Sequence, residues 1–389
     1  MAAGALAGCV AGPGVRLSSR QAAAFRPEKL REMGAAIEAA TREGLLPGGV
    51  LWLEHRGVEF HGAYGRRALV PRALPAHGDT IYDVASLTKV LATAPSIVLL
   101  AERGHVDLAA PVKNYLPEFA GPQRDAITVR HLLTHTSGLR PGIALTGWTN
   151  AAGAITAACS EIPRSAPDAQ FVYSDINYIL LGEIVRRGSG VSLDEFTRRE
   201  FYGPLGMEDT GFLPAERIGP RVAPTTVSGG GVLRGVVHDP TARQMGGVAG
   251  HAGLFSTAPD IARFARMLVG QGELDGVRVF QPESVRRMTS VQTPATLAAR
   301  RGLGWDVDTG YSAPRGELFP KGSYGHTGWT GTSLWIDPAS QSFVVFLCNR
   351  NHPKEGTSVT ALRRQLGTLG AAALRGADFN GTAAEPARP

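Results

Sequence analysis

In Tyr82-Asp83-Val84-Ala85-Ser86-Leu87-Thr88-Lys89, a serine and a lysine stand three residues apart, in a chain of 389 residues that holds only five lysines. Residues at this spacing on a helix lie one above the other on the same face. The run from Ser86 to Gly104 is largely apolar, so a lysine on its first turn is poorly hydrated. Desolvation lowers a lysine pKa from about 10.4, and a shift of about three units, costing about 4 kcal/mol, leaves an amine that is neutral at pH 7 and able to take a serine proton. A helix that starts at Ser86 also offers the free backbone N–H of Ser86 where negative charge develops in acyl transfer. One element thus supplies a nucleophile, a base and half of an oxyanion hole.

Two later groups extend this chemistry. Phe171-Val172-Tyr173-Ser174-Asp175-Ile176-Asn177 precedes an amphipathic stretch, and His326-Thr327-Gly328 opens a strand-like run with Trp329 next. In this order the three groups resemble the S-x-x-K, Y-x-N and K-T-G or H-T-G motifs of the penicillin-binding serine hydrolases related to class C β-lactamases. The runs "HLLTHTSGL", "FYGPLGMEDTGF" and "VHDPTARQMGGVAGHAGLFSTA" are similar to family segments too, the last most like penicillin-binding or esterase-like members. The likeness covers the chain from about residue 45 to 350. It implies an α/β (α+β) fold of the β-lactamase/transpeptidase type, an antiparallel sheet flanked by helices with an all-helical lobe. It further implies Ser86 as the acylated nucleophile, Lys89 as its base, Tyr173 as the proton carrier to the leaving group, and an oxyanion hole made by the N–H groups of Ser86 and Trp329.

Two positions depart from the motifs. Asp175 stands where the family has asparagine; an ionised carboxylate only accepts hydrogen bonds and is able to hold Lys89 charged, which weakens a β-lactamase reading. Asn177, two residues on, is a candidate for the missing donor. His326 replaces a lysine and offers a softer, hydrogen-bonding site than a permanent cation, so a substrate carboxylate needs Thr327 or an arginine whose place is not evident. Gly328 and His251, the latter in the glycine-rich Gly250-His251-Ala252-Gly253, complete the expected substrate-binding set, with a backbone-bonding histidine the alternative for His251. The expected activity is a serine acyl hydrolase, of esterase or D-Ala-D-Ala carboxypeptidase type, acting on a small-molecule ester, a β-lactam or a peptidoglycan-derived peptide. The alternatives are a weak β-lactamase, or a binding or sensor protein that penicillin acylates without turnover. No metal and no cofactor are expected: His131 and His135 are four apart, but the glutamate of H-E-x-x-H is absent.

The elements that must position these residues follow from patterning. A helical pattern from Pro27 to Gly44 precedes two strands around Arg56-Gly57; about 105–225 reads as a mostly helical insert; 256–272 is an amphipathic helix; and a late strand-like run "GHTGWTGTSLWID" joins "QSFVVFLCNR" through Pro338-Ala339-Ser340 before a final helix. This order predicts one sheet built from both ends of the chain with a helical lobe between, a single catalytic domain over 26–376. Pro95 is expected to kink or break the helix that carries Lys89.

The net charge of +6 is spread over scattered arginines, with no basic run to track a nucleic acid. Three cysteines are too few and too far apart for a disulfide framework. Residues 1–25 read as a disordered or export-related segment and 377–389 as a disordered tail. Leu6-Ala7-Gly8-Cys9 resembles a bacterial lipobox, which makes Cys9 a candidate lipid anchor and the protein a periplasmic or membrane-anchored bacterial lipoprotein. The short stretch before Cys9 leaves a cytoplasmic location as the alternative.

Overall fold

The computed structural model describes residues 16–214, 216–356, 358–377 and 379. Cys9 and its lipobox-like context lie outside the described residues. An eight-stranded sheet forms the centre, in the order Arg300–Arg301, Asp306–Asp308, Tyr324–Thr327, Ser333–Asp337, Ser342–Cys348, Gly48–His55, Val58–Ala68, Leu74–Pro75. The late strands pair antiparallel with the early ones at Ser342–Cys348, whose Cys348 lies opposite Gly49 and whose Ser342 lies opposite His55. The sheet is therefore closed by the two ends of the chain, as the order of elements predicts.

Strand Gly48–His55 is buried on both faces, and its alternation decides what covers each one. Val50 and Trp52 face the large core shared with the helical lobe, whereas Leu51 and Leu53 face a second core beneath the helices Pro27–Arg42 and Thr360–Ala373. Arg56 and Gly57 both take positive φ, of 49° and 73°, the geometry of a two-residue hairpin turn. The amphipathic helix Ala258–Val269 buries Ile261, Phe264, Met267 and Leu268 against the first face.

The ordered body starts earlier and ends later than expected. Ser19–Ala24 is a helix with a Ser18–Gln21 capping box, Phe25 is fully buried and bridges to Leu374, and Phe379 packs edge-on to Phe319. The run "GHTGWTGTSLWID" is also two strands rather than one, and the break between them, residues 328–332, places Trp329 in a turn.

Pro95 does not break its helix. Ser86 sits in a 3₁₀ turn, Ala85–Leu87, followed by a π-helical turn over Lys89–Thr93 and an α-helix over Ala94–Glu102 with Pro95 at its start. Proline removes the N–H that the Leu91 carbonyl would accept four residues on. That carbonyl instead accepts from the buried Tyr202 hydroxyl at 3.1 Å. The whole run Ala85–Glu102 is long and apolar enough to cross a membrane, and in this fold it is the mostly buried central helix.

Candidate active site

The turn before Ser86 is held from both sides. Ala85 has φ 48°, a left-handed conformation that costs a residue with a Cβ about 1 kcal/mol. The buried carboxylate of Asp83 accepts from the Ala85 N–H at 2.9 Å and from the His238 N–H at 2.7 Å, and burial pushes its pKa up to about 6. Two threonine hydroxyls from the turn after His326-Thr327-Gly328 close the other side: Thr330 donates to the Asp83 carbonyl at 2.8 Å and Thr332 to the Val84 carbonyl at 3.0 Å.

Lys89 is fully buried and its amine has three partners: Ser86 Oγ at 3.0 Å, the His251 carbonyl at 2.9 Å and Asp175 Oδ1 at 2.7 Å. This overturns the expectation of an amine neutralised by burial. Burial does pull the amine down, but the Asp175 carboxylate, with Tyr173 beside it, outweighs burial and lifts Lys89 above its ordinary value. Lys89 is thus an ammonium at neutral pH. Two of its partners only accept, whereas the serine hydroxyl both donates and accepts. Loss of one proton therefore leaves an amine lone pair facing Ser86, with the other two bonds intact.

Asp175 N-terminates the helix Asp175–Ser189, and its carboxylate engages the base. Asn177 does not supply the missing donor. It is fully buried, with Oδ1 accepting from Ser137 at 2.7 Å. His251, expected at the substrate rim, is also buried: its ring bonds Asp239 Oδ1 at 2.9 Å and its carbonyl holds Lys89. Its neighbour Gly250 has no room for a side chain, since a Cβ there would meet the Tyr178 carbonyl at 2.0 Å. Asp175, Asp239 and His251 bring ligand-type atoms within 4.8 Å of one another, and the cation placed against this group is the Lys89 ammonium. The two histidines of "HLLTH" are engaged elsewhere. His131 bonds Thr128 and Asp168, while His135 accepts from the Ser174 N–H at 3.0 Å and lies 4.5 Å, centre to centre, from the Tyr173 ring.

A cavity of about 350 Å³ joins Ser86, Tyr173, His326, Thr327, Gly328 and Trp329. His326 is fixed as a neutral acceptor. Burial, with the charges of Arg301 and Lys89 nearby, drives its pKa well below 6.5. Its Nδ1 lies 2.8 Å from the Thr327 carbonyl, which only accepts, so the proton is on Nδ1 and Nε2 presents a lone pair. The arginines that the sequence could not place are Arg301, Arg350 and Arg363, which line the same cavity with Asp306 as the one opposing charge among its described lining. Arg301 comes from an edge strand and Arg363 from the last helix. Neither position carries a local pattern that marks it, because only the sheet brings them together. Among the described residues, the N–H groups of Ser86 and Trp329 have no hydrogen-bond acceptor.

A family model described as "Beta-lactamase" matches residues 33–368. An Escherichia coli K12 protein named "Putative D-alanyl-D-alanine carboxypeptidase" is 30% identical over 373 residues, covering 86% of this chain and 85% of its own. Among solved structures, a penicillin-binding protein homologue from Caulobacter crescentus superposes with a TM-score of 0.73 at 21% identity, over 89% of this chain and 98% of its own. A hydrolase with promiscuous acyltransferase activity gives a TM-score of 0.71 at 18% identity, over 88% and 99%. At these identities the two structures speak for the fold.

Proposed function

The chain belongs to the beta-lactamase family and is a serine hydrolase, and on that premise we propose that it cleaves an acyl-D-amino-acid amide with a free carboxylate, in the manner of a D-alanyl-D-alanine carboxypeptidase. The observation that carries this reading is Ser86 Oγ at 3.0 Å from Lys89 Nζ, in a cavity whose other charged lining is three arginines and one aspartate. That balance favours a substrate that ends in a carboxylate. It supplies the cationic side that His326, held neutral, does not.

In the reaction, Lys89 in its neutral form takes the Ser86 proton as Oγ bonds to the acyl carbon, and the oxyanion accepts from the N–H groups of Ser86 and Trp329. Tyr173 donates a proton to the departing amine nitrogen as the C–N bond breaks. Water then attacks the ester carbon, its proton returns through Tyr173 and Lys89, and Ser86 Oγ leaves with a proton. Substrates derived from peptidoglycan place the enzyme in a bacterial envelope. Esters form a second reading, favoured by the neutral His326, which accepts a hydrogen bond without demanding an anion.

Intact-mass measurements over time with a D-Ala-D-Ala peptide, a p-nitrophenyl ester and a penicillin test these readings in parallel. Released D-alanine is expected with the peptide and a slowly lost adduct with penicillin, both absent in Ser86→Ala. Ester turnover with an untouched peptide selects the second reading. A persistent penicillin adduct without turnover of either substrate selects an acylated sensor, and an adduct in Ser86→Ala overturns the nucleophile.

A further inference from the structure

The turn Gly328–Thr332 turns its carbonyls toward two arginines. Arg363, on the helix Thr360–Ala373, donates from Nη2 to the Gly328 carbonyl and to the Thr332 carbonyl at 2.9 Å, and from Nε to the Gly331 carbonyl at 3.1 Å. Arg350 takes the other two: its Nε donates to the Trp329 carbonyl at 2.7 Å, with the guanidinium 4.9 Å from the Trp329 ring centre, and its backbone N–H donates to the Thr330 carbonyl at 2.9 Å. Within the turn the Gly328 N–H donates to the Thr332 carbonyl at 2.7 Å and the Gly331 N–H to the Gly328 carbonyl at 3.1 Å, whereas the Trp329 N–H has no such partner.

The bond that matters is Gly328–Trp329. Its oxygen belongs to Gly328 and its hydrogen to Trp329. It is a trans peptide, the cis bonds among the described residues being those before Pro71 and Pro353. In a trans peptide the C=O and N–H point in opposite directions across a rigid plane. Holding the Gly328 oxygen on Arg363 therefore aims the Trp329 N–H away from that arginine. The turn that carries Ser86 packs against this peptide: a Cβ on Gly328 would fall 2.4 Å from the Val84 carbonyl and 3.3 Å from Ala85 Cβ. The Trp329 N–H, with no acceptor among the described residues, belongs to a peptide that lines the same cavity as Ser86.

We propose that Arg363 is a positioning residue of the oxyanion hole, which sets the orientation of the Trp329 N–H by gripping the carbonyl of the same peptide. The inference rests on the assignment of Ser86 as nucleophile and of the Trp329 N–H as an oxyanion donor. Arg363 stays cationic at neutral pH, its pKa lowered by burial only to about 10. A fork of donors spanning three carbonyls also fits arginine and not lysine, whose single nitrogen is a compact point charge.

The test compares Arg363→Lys, Arg363→Gln and Arg363→Ala with the parent enzyme, with Ser86→Ala and thermal melting as controls. With a p-nitrophenyl ester, kcat is expected to fall about 10²-fold, near the loss for one oxyanion donor, while KM moves less than about threefold. Arg363→Ala is expected to recover part of its rate in millimolar guanidinium. In the acyl-enzyme formed from a slowly hydrolysed cinnamoyl ester, the infrared band of the acyl carbonyl is expected to shift to higher frequency in Arg363→Gln, because the carbonyl has lost a donor. An unshifted band and parental kcat in folded variants overturn the role of Arg363 while leaving Ser86 as nucleophile. A shifted band with no loss of rate also overturns it as a determinant of catalysis. Turnover retained by Ser86→Ala overturns the underlying assignment instead.

Discussion

Replacing Asp175 with asparagine isolates the interaction that keeps Lys89 charged. The two groups lie 2.7 Å apart, with the lysine side chain fully buried and the aspartate 34% exposed. At an effective dielectric of about 20, unit charges at that separation attract by about 6 kcal/mol. Water at the aspartate screens part of this, and carboxylates next to a cation shift its pKa by about 1–3 units in practice, or about 1.4–4 kcal/mol. Asparagine retains the size of the side chain and an oxygen that accepts, so the Lys89 ammonium loses charge stabilisation while burial still opposes it. The acidic limb of kcat/KM for a p-nitrophenyl ester, measured from pH 6 to 12, should move down by about 1–3 units in Asp175→Asn. Below the parent limb, the rate should rise by the same factor of about 10 to 1,000 as the neutral amine becomes more abundant. Asp175→Glu should restore a limb near that of the parent. A limb that stays in place or moves up in a folded Asp175→Asn refutes the role of Lys89 as the base whose proton Asp175 retains.

Gly328→Ala should cut kcat by about 10²–10³ without loss of expression, because the added Cβ would sit 2.2 Å from Thr332 Oγ1 and 2.4 Å from the Val84 carbonyl and must push the oxyanion peptide aside; acylation rates by stopped flow check it. Tyr202→Phe should lower stability by about 1–3 kcal/mol in urea titrations, since it leaves the buried Leu91 carbonyl without the donor that replaces the missing Pro95 N–H. Burial holds His135 and His326 neutral, with pKa values well below 6.5, so an unfolded chain binds protons at these sites first as pH falls. The stability they contribute is present above pH 6.5 and is lost below it, by about 1.4 kcal/mol per unit and per histidine. Asp83 and Asp260, raised to about 6, oppose this trend between about pH 4 and 6. Urea titrations at pH 7 and 5 should give a smaller difference for a folded His326→Gln than for the parent.

The proposed catalytic pair was legible because its geometry is local: Ser86 and Lys89 are three residues apart, and the structure puts them in contact at 3.0 Å. The sheet was legible for a similar reason, since the strands on either side of Arg56-Gly57 and the strands near the C-terminus have unmistakable apolar runs. What escaped the sequence was set by long-range packing. The motif comparison marked Asp175 as able to hold Lys89 charged, but only packing brings that carboxylate, 86 residues away, to 2.7 Å and so decides against the neutral amine that desolvation alone implies. His251 and Asn177 are polar residues next to motif positions, which suggested substrate contact, yet both point inward to satisfy buried partners. Arg301 and Arg363 look like any surface arginine in a chain rich in them. The continuity of the helix through Pro95 rests on Tyr202, far along the chain, which no local rule connects to Leu91.

The pairing of Gly48–His55 with Ser342–Cys348 also has a meaning for the time at which this enzyme becomes active. A ribosome delivers Ser86 and Lys89 early, but the strand that carries His326 and the turn that carries Trp329 come about 240 residues later. Until then the first hairpin has an open edge with no partner, and the serine lacks the second of the two oxyanion donors proposed for it. Contacts this distant in sequence make folding slow and leave an unpaired edge exposed meanwhile. On the proposed assignment, a nascent chain that has not yet reached Trp329 holds Ser86 and Lys89 without the second oxyanion donor, so that hydrolysis waits for the late strands.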